Sequence, residues 1–306
     1  MQNHNYHEII KFNLSTLYSK YKGKDVFKAR AYKKALDNLP FDIYSEEDIQ
    51  NIGGGKINDK IKYIIKTNKN LDEVDETIVD PEFEVINILM TIHGIGPSKA
   101  KELYKKHEIT SIDKLRENEH LLNEVQKKGL KYLEYTQKRI PRKEMIKHDK
   151  YLQEHIEQQY KITGSYMRNE SSSGDIDVLI TGQVNNLKTI VDKLIDKKYI
   201  ILDGILAYGE VKFMGICKLP KYANFRRIDI LYTPPKEYPF AELYFTGNYK
   251  FNTEMRKHAL TLGYSLNEQG LSDVKTGNLI EHEFITEKDI FTFLNYEYIL
   301  PENRTY

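Results

Sequence analysis

Residues 164–180 read Gly-Ser-Tyr-Met-Arg-Asn-Glu-Ser-Ser-Ser-Gly-Asp-Ile-Asp-Val-Leu-Ile, and the last six decide what the second half of the chain must be. In a strand, residues two apart share a face, so Asp175 and Asp177 project together while Ile176, Val178 and Ile180 pack behind them. Two carboxylates side by side repel unless something positive lies between them. A pair of divalent ions is the natural solution, with a third carboxylate supplied by a neighbouring strand. Asp229 offers one, set between apolar residues in Arg226-Arg227-Ile228-Asp229-Ile230-Leu231.

Upstream of this segment the period is helical. Ile10, Leu14, Leu17 and Tyr21 keep a three-to-four spacing, and Phe27, Ala31, Ala35 and Leu39 predict the inward face of a second helix ending before Pro40. Two glycine turns then open lysine-bearing helices, at Ile52-Gly-Gly-Gly-Lys56 and at Gly94-Ile-Gly-Pro-Ser98. Glycine lets the backbone turn closely, Pro97 suits a first helical turn, and amides at a helix start bind anions. Residues 72–84 carry seven acids and no base, which reads as a solvated linker.

The chain has 306 residues, enough for two or three compact units. One cysteine, Cys217, excludes internal disulfides and multi-cysteine zinc sites. No apolar run approaches a membrane span, and the polar N-terminus is no secretory signal. The net charge of +1 gives no reason to propose a nucleic-acid partner. Locally the charge is segregated: residues 11–34 carry eight Lys or Arg against one acid, 56–69 five against one, and 127–148 eight against two. A solvated helix face would account for any one of these runs; their recurrence beside glycine turns favours phosphate binding.

These motifs together resemble the family X DNA polymerases, the polymerase beta branch in particular. Residues 164–177 resemble the family's metal motif; Lys212-Phe-Met-Gly215, Arg226–Ile230, Leu243-Tyr-Phe-Thr-Gly247, Met255–Ala259 and Glu287–Phe291 are similar to its other signatures. The resemblance implies an α+β fold. Its parts would be an N-terminal helical lyase domain with a helix-hairpin-helix (1–75), a helical DNA-binding, thumb-like domain (76–141), a nucleotidyltransferase palm with a mixed or antiparallel sheet (142–235), and a small α/β fingers-like domain that binds the nascent base pair (236–306).

The implied activity is DNA-directed gap filling in base excision repair, on gapped or nicked double-stranded DNA with dNTPs. Asp175, Asp177 and Asp229 would hold two Mg²⁺ ions, with Mn²⁺ able to substitute. Arg139, Gly164, Ser165, Arg168, Ser173 and Gly174 match the triphosphate-binding positions, and Tyr244, Phe245, Gly247 and Asn252 the sugar and base side. Gly94, Gly96, Ser98, Lys212, Arg227 and Arg256 match DNA-binding positions, and Glu268 a support for the closed state. Backbone carbonyls of Met90, Ile92 and Ile95 would hold a monovalent cation, K⁺ or Na⁺. Tyr249, Thr253 and Leu231 depart from the family pattern.

Lys60 matches the family's Schiff-base nucleophile for removing a 5′-deoxyribose phosphate, with Lys28, Lys56 and Tyr32 around the 5′-phosphate. A neutral amine is required, and crowding by Lys56 and Lys28 would lower the Lys60 pKa. Phe27 stands where a stacking histidine is common. Read without the resemblance, Arg168 could be a surface ion pair, Ser173-Gly174 a turn, Tyr244 and Phe245 core aromatics, and each lysine a solvated helix residue. The competing functions are a template-independent nucleotidyltransferase and a catalytically inactive DNA end-binding scaffold. A soluble, intracellular monomer is expected, with other repair proteins as partners; it would be nuclear in a cellular eukaryote, or in a viral factory or virion if viral.

Overall fold

A computed structural model describes residues 4–22, 24–40, 42–49, 52–78 and 80–304. The chain divides into two units, Met1–Gln126 and Lys127–Tyr306.

The first unit is helical. Helices α1 (His7–Tyr21), α2 (Val26–Asp37), α3 (Gly55–Thr67) and α4 (Asp72–Ile78) enclose Ile10, Leu14, Leu17, Tyr32, Ala35, Ile57, Ile61, Ile64 and Val74. Helices α5 (Pro81–Met90) and α6 (Pro97–His107) follow as a hairpin. Two expectations change here. The 72–84 acids are not a linker but belong to α4 and α5, where Asp72, Asp75, Glu76 and Glu84 are exposed, Glu73 and Glu82 half-buried, and Val74 and Thr77 buried. Asp80 caps α5 by accepting from the Glu82 amide, 2.9 Å. The inward row of α2 is Ala29, Tyr32 and Ala35, and Phe27 is 84% exposed. At 100° per residue, a strict four-residue spacing drifts 40° per step. Going back from Ala35, the row therefore rotates away from the side that Tyr32 and Ala29 occupy and leaves Ala31 and Phe27 exposed.

The second unit is built on a mixed sheet. Its strands are β1 (Gln159–Ile162), β2 (Ile176–Thr181), β3 (Ile200–Tyr208), β4 (Lys212–Cys217) and β5 (Arg226–Thr233), in the order β1-β2-β5-β4-β3. All neighbours are antiparallel except β2 and β5, which run parallel. One face of the sheet packs on α7 (Arg142–His155) and α8 (Leu187–Asp196) around Ile176, Val178, Ile180, Phe213, Ile228 and Ile230. On the other face Leu179 meets Tyr238 and Ala241 of α9 (Tyr238–Thr246). That double burial is why β2 reads as an unbroken apolar run after Asp177.

A third core joins α9 to α10 (Tyr249–Thr261), the hairpin β6 (Tyr264–Leu266) with β7 (Leu271–Asp273), and α11 (Glu287–Phe293). It is closed by Arg304, fully buried, which forks the Glu287 carboxylate at 2.7 and 3.0 Å and lies over the Phe251 and Phe291 rings. A buried pair of this kind is tolerable because every charge is matched by hydrogen bonds and aromatic faces.

Candidate active site

The parallel register of β2 and β5 sets Asp177 directly beside Asp229. A one-residue slip would send one of them to the opposite face. Asp175 lies just before β2, so three carboxylates gather at one end of the strands. Burial raises the pKa of Asp177, and Asp175 and Asp229 raise it further. Burial likewise raises that of Asp175, against the pull of Arg227.

Positive charge reaches the cluster from Arg227. Its Nε and Nη2 donate to both Asp229 oxygens, at 3.1 and 3.0 Å, and Nε lies 4.0 Å from Asp175. Lys212 Nζ adds a contact to Asp229 at 3.8 Å. Burial pulls the Arg227 pKa down, but the three acids outweigh it and raise it. With Asp229 turned into the Arg227 fork, no three His, Cys, Asp or Glu side chains among the described residues converge on a metal-sized point. The chemistry of the donor set still fits Mg²⁺: hard carboxylate oxygens, carrying negative charge that one arginine compensates incompletely.

The turn before β2 is fixed by this cluster. Gly164 has φ +61°, and a Cβ there would stand 2.7 Å from Asp177 Oδ2. The Thr163 amide donates to the Asp177 carbonyl, 2.8 Å. Glycine is therefore required twice over, for its backbone and for its missing side chain.

A cavity of about 460 Å³ opens above, lined by Arg139, Gly164, Ser165, Arg168, Asp175, Asp177, Tyr244, Phe245, Gly247, Asn252 and Arg256 among the expected residues. Asn252 donates to the Tyr244 carbonyl, 2.6 Å, and the Arg256 guanidinium lies 4.9 Å from the Tyr244 ring centroid. Arg256 also contacts Glu268 at 3.5 Å. Ser173 is buried and pairs with Ile140 in a short ladder, which holds it beside Arg139. Asp229 and Lys212 line a smaller neighbouring recess with Asp177 and Phe245. Gly174 lines neither cavity. Tyr249 and Thr253, two of the departures, line the larger cavity, and Leu231 the smaller.

Two lining residues, Glu170 and Asn248, were not anticipated, and Glu170 is the charged one. Glu170 pairs with Arg168 and, at 3.5 Å, with Arg139, while Arg168 Nη1 donates to the Thr246 carbonyl at 2.6 Å. Both arginines assigned to a triphosphate thus rest on one carboxylate. Its position within the 164–177 motif was the available signal.

In the first unit, Lys60 Nζ donates to Tyr32 Oη at 2.7 Å and is ion-paired with Glu73 of α4. Tyr32 stacks on Tyr21, whose ring lies 4.6 Å from Lys28 Nζ. Burial lowers the Lys60 pKa, but hydrogen bonds to Glu73 and Tyr32 outweigh it, and the net shift is upward. The expected depression by Lys56 and Lys28 is overturned: Lys56 is exposed, Lys28 sits 3.9 Å from Asp25, and an acid occupies the place next to Lys60.

At the second hairpin Gly94 has φ +85°, Gln126 donates to its carbonyl at 2.9 Å, and Gly96 caps α6 ahead of Pro97 and Ser98. Of the three carbonyls assigned to a monovalent cation, that of Ile92 already accepts the Ile95 amide at 3.0 Å.

Comparison with known proteins matches residues 139–235 to a family model described as DNA polymerase beta palm, 241–305 to DNA polymerase beta thumb, and 87–137 to the fingers domain of DNA polymerase lambda. The names thumb and fingers fall on the opposite domains from those used in reading the sequence. The chain is 30% identical to DNA polymerase lambda of Arabidopsis thaliana over 90% of its own length and 57% of that protein. It is 28% identical to DNA polymerase lambda of Rattus norvegicus, over 92% and 53%, and 25% identical to the type-X family protein pol4 of Schizosaccharomyces pombe, over 90% and 60%. The chain spans little more than half the length of these relatives.

Proposed function

The chain belongs to the family X DNA polymerases, and from that premise we propose that it fills short gaps in double-stranded DNA during base excision repair. The observation that carries this is the register of Asp177 beside Asp229 at one end of two parallel strands, below a cavity with three arginines. A primer 3′-hydroxyl would attack the α-phosphorus of a dNTP; the new P–O bond forms as the bond to pyrophosphate breaks. Asp175, Asp177 and Asp229 would hold two Mg²⁺ ions, which supply charge stabilisation and acidify the attacking hydroxyl.

The remaining work falls to the chain's own groups. Arg227 would leave Asp229, freeing its Oδ2 to take the hydroxyl proton. Arg168 and Arg139 would exchange Glu170 for the triphosphate, a planar donor fork suited to phosphate oxygens. Tyr244, Phe245, Gly247 and Asn252 would wall the sugar and base.

The four-domain division at 75/76, 141/142 and 235/236 belongs to the same reading, with the two hairpins gripping the DNA backbone. A monovalent cation on the carbonyls near Ile92 suits hard oxygens of that kind. Lys60, as the neutral amine, would attack the C1′ aldehyde of a 5′-deoxyribose phosphate and lose water to form a Schiff base. Loss of a C2′ proton would then break the C3′–O bond to the DNA phosphate, and hydrolysis would return the amine, which would make residues 1–75 a lyase domain.

The test is extension of a one-nucleotide-gapped substrate against single-stranded DNA with dNTPs and Mg²⁺. Efficient filling of the gap alone is expected, and Asp229→Ala should lower the rate by about three orders of magnitude or more. Preferential tailing of the single strand, or gap filling unaffected by the substitution, would overturn the reading.

A further inference from the structure

The first unit contains an open cavity of about 500 Å³ whose lining includes none of Lys60, Tyr32, Lys28 or Lys56. Its volume lies in the range of small-molecule sites. Tyr18 of α1 with Phe83, Ile86 and Met90 of α5 give it an apolar side. Around them stand six lysines against two acids: Lys20, Lys22 and Lys24 from the end of α1 and beyond, and Lys101, Lys105 and Lys106 from α6, facing Glu82 and Glu102.

The acids are already committed. Glu82 Oε2 pairs with Lys105 at 3.0 Å and Glu102 with Lys99 at 3.1 Å. Among the described residues no carboxylate pairs with Lys22, Lys24 or Lys101, and Lys106 adds only a longer-range pull on Glu102, so the lining carries surplus positive charge. The other oxygen of Glu82, Oε1, is buried and accepts no hydrogen bond among the described residues. A buried acceptor left unmatched costs free energy that a donor would recover.

We propose that this cavity binds a nucleotide whose base carries an amino group. The base lies along Tyr18 and Phe83, the amino group donates to Glu82 Oε1, and the phosphate meets the unpaired lysines. Each of the three linings excludes a simpler occupant. A bare phosphate would leave the aromatic side and Glu82 unused, and a fatty anion would leave Oε1 without a donor. A free nucleotide and an unpaired nucleotide of a DNA strand carry the same chemistry.

The sequence has no tryptophan, so Phe83→Trp in the full chain makes a single reporter inside the cavity. Titrations in EDTA use dAMP, dTMP, tripolyphosphate and a single-stranded oligo(dA). The expected result is saturable quenching by dAMP, several-fold weaker binding of dTMP, which lacks the amino group, and loss of the dAMP signal in Lys101→Glu/Lys106→Glu. Half-saturation by oligo(dA) at a tenfold lower nucleotide concentration than dAMP identifies a strand as the source; the reverse identifies a free nucleotide. No response to millimolar dAMP or oligo(dA), equal responses to dAMP and tripolyphosphate, or quenching unchanged by the charge reversal would each overturn the proposal. Methyl-labelled methionine NMR of the unsubstituted protein guards against damage by the new indole: of six methionines, Met90 should shift with dAMP, and an unmoved Met90 signal counts against the site.

Discussion

Both candidate centres of this chain rest under a counter-charge, but with opposite balance. At the carboxylate centre three acids share one forked arginine, and both Asp175 and Asp177 are pushed upward in pKa by burial and by the charge of Asp229, with Asp175 adding to the rise of Asp177. At the lysine centre one cation faces one carboxylate and one phenol, and its charge is over-stabilised. An under-compensated cluster draws in further cations. An over-compensated lysine has to lose its partner before it can act as a nucleophile. Like the Arg168–Glu170 pair, each arrangement holds a working group in reserve on a neighbour of the opposite sign.

The largest effect expected on this contrast is at Gly164. Gly164→Ala puts a methyl against Asp177 Oδ2 at a left-handed backbone position and should lower gap filling about a hundredfold or more. Borohydride trapping at Lys60 should be untouched, because the two centres lie in separate units. A loss of both activities would break the comparison.

Glu73→Gln comes next. Without the carboxylate the Lys60 pKa falls, and well below that pKa the neutral fraction rises about tenfold for each unit. Trapping on an incised abasic site should therefore quicken at neutral pH, and its pH profile should move to lower pH. Lys60→Ala should abolish it. Slower trapping in Glu73→Gln would make Glu73 a participant in the chemistry rather than a restraint.

A smaller change is expected at Glu170. Glu170→Gln removes the charge that competes with the triphosphate for Arg168 and Arg139, so the apparent KM for dNTP should fall about threefold with kcat unchanged. A raised KM would show that Glu170 orients the arginines for binding.

The fourth prediction concerns stability. His148, buried beneath the sheet and bonded to Tyr199, is pushed down to about 4 by burial, against the pull of Glu144. Between about 4 and 6.5 the unfolded chain binds the proton and the folded one does not, so stability falls as pH drops through that window, by up to about 1.4 kcal/mol per unit. Glu144, held low by Arg226 although burial opposes it, acts in the same direction at still lower pH. Urea midpoints of the second unit at pH 7 and pH 5 check this; equal midpoints would count against it.

The chemistry of the site was legible wherever it followed from strand period. Asp177 and Asp229 sit among apolar neighbours whose alternation admits one facing, with Asp175 two residues before Asp177, and the helical first unit follows from its own period. The mixed sheet was expected only from the resemblance to the family. What the sequence withheld are partners. Glu73 meets Lys60 across a helix pair, and its neighbourhood looked like solvent because seven acids hid Val74 and Thr77. Phe27 was turned inward by a four-residue spacing that drifts off the face which Ala29, Tyr32 and Ala35 present to the core. The fork of Arg227 on Asp229 lies within a single strand, yet only the packed sheet shows that both oxygens are taken. Arg304 gives no hint from local composition that it closes a core.

The parallel pairing of β2 with β5 has a consequence for the order of events at the ribosome. Asp175 and Asp177 emerge first, and α8, β3 and β4 are all synthesised before Asp229 exists. Because β5 inserts between β2 and β4 in the finished sheet, the three carboxylates meet only when the central strand slots into place. A nascent or truncated chain ending before β5 therefore lacks the third acid, and completion of the sheet and assembly of the carboxylate cluster should be a single event.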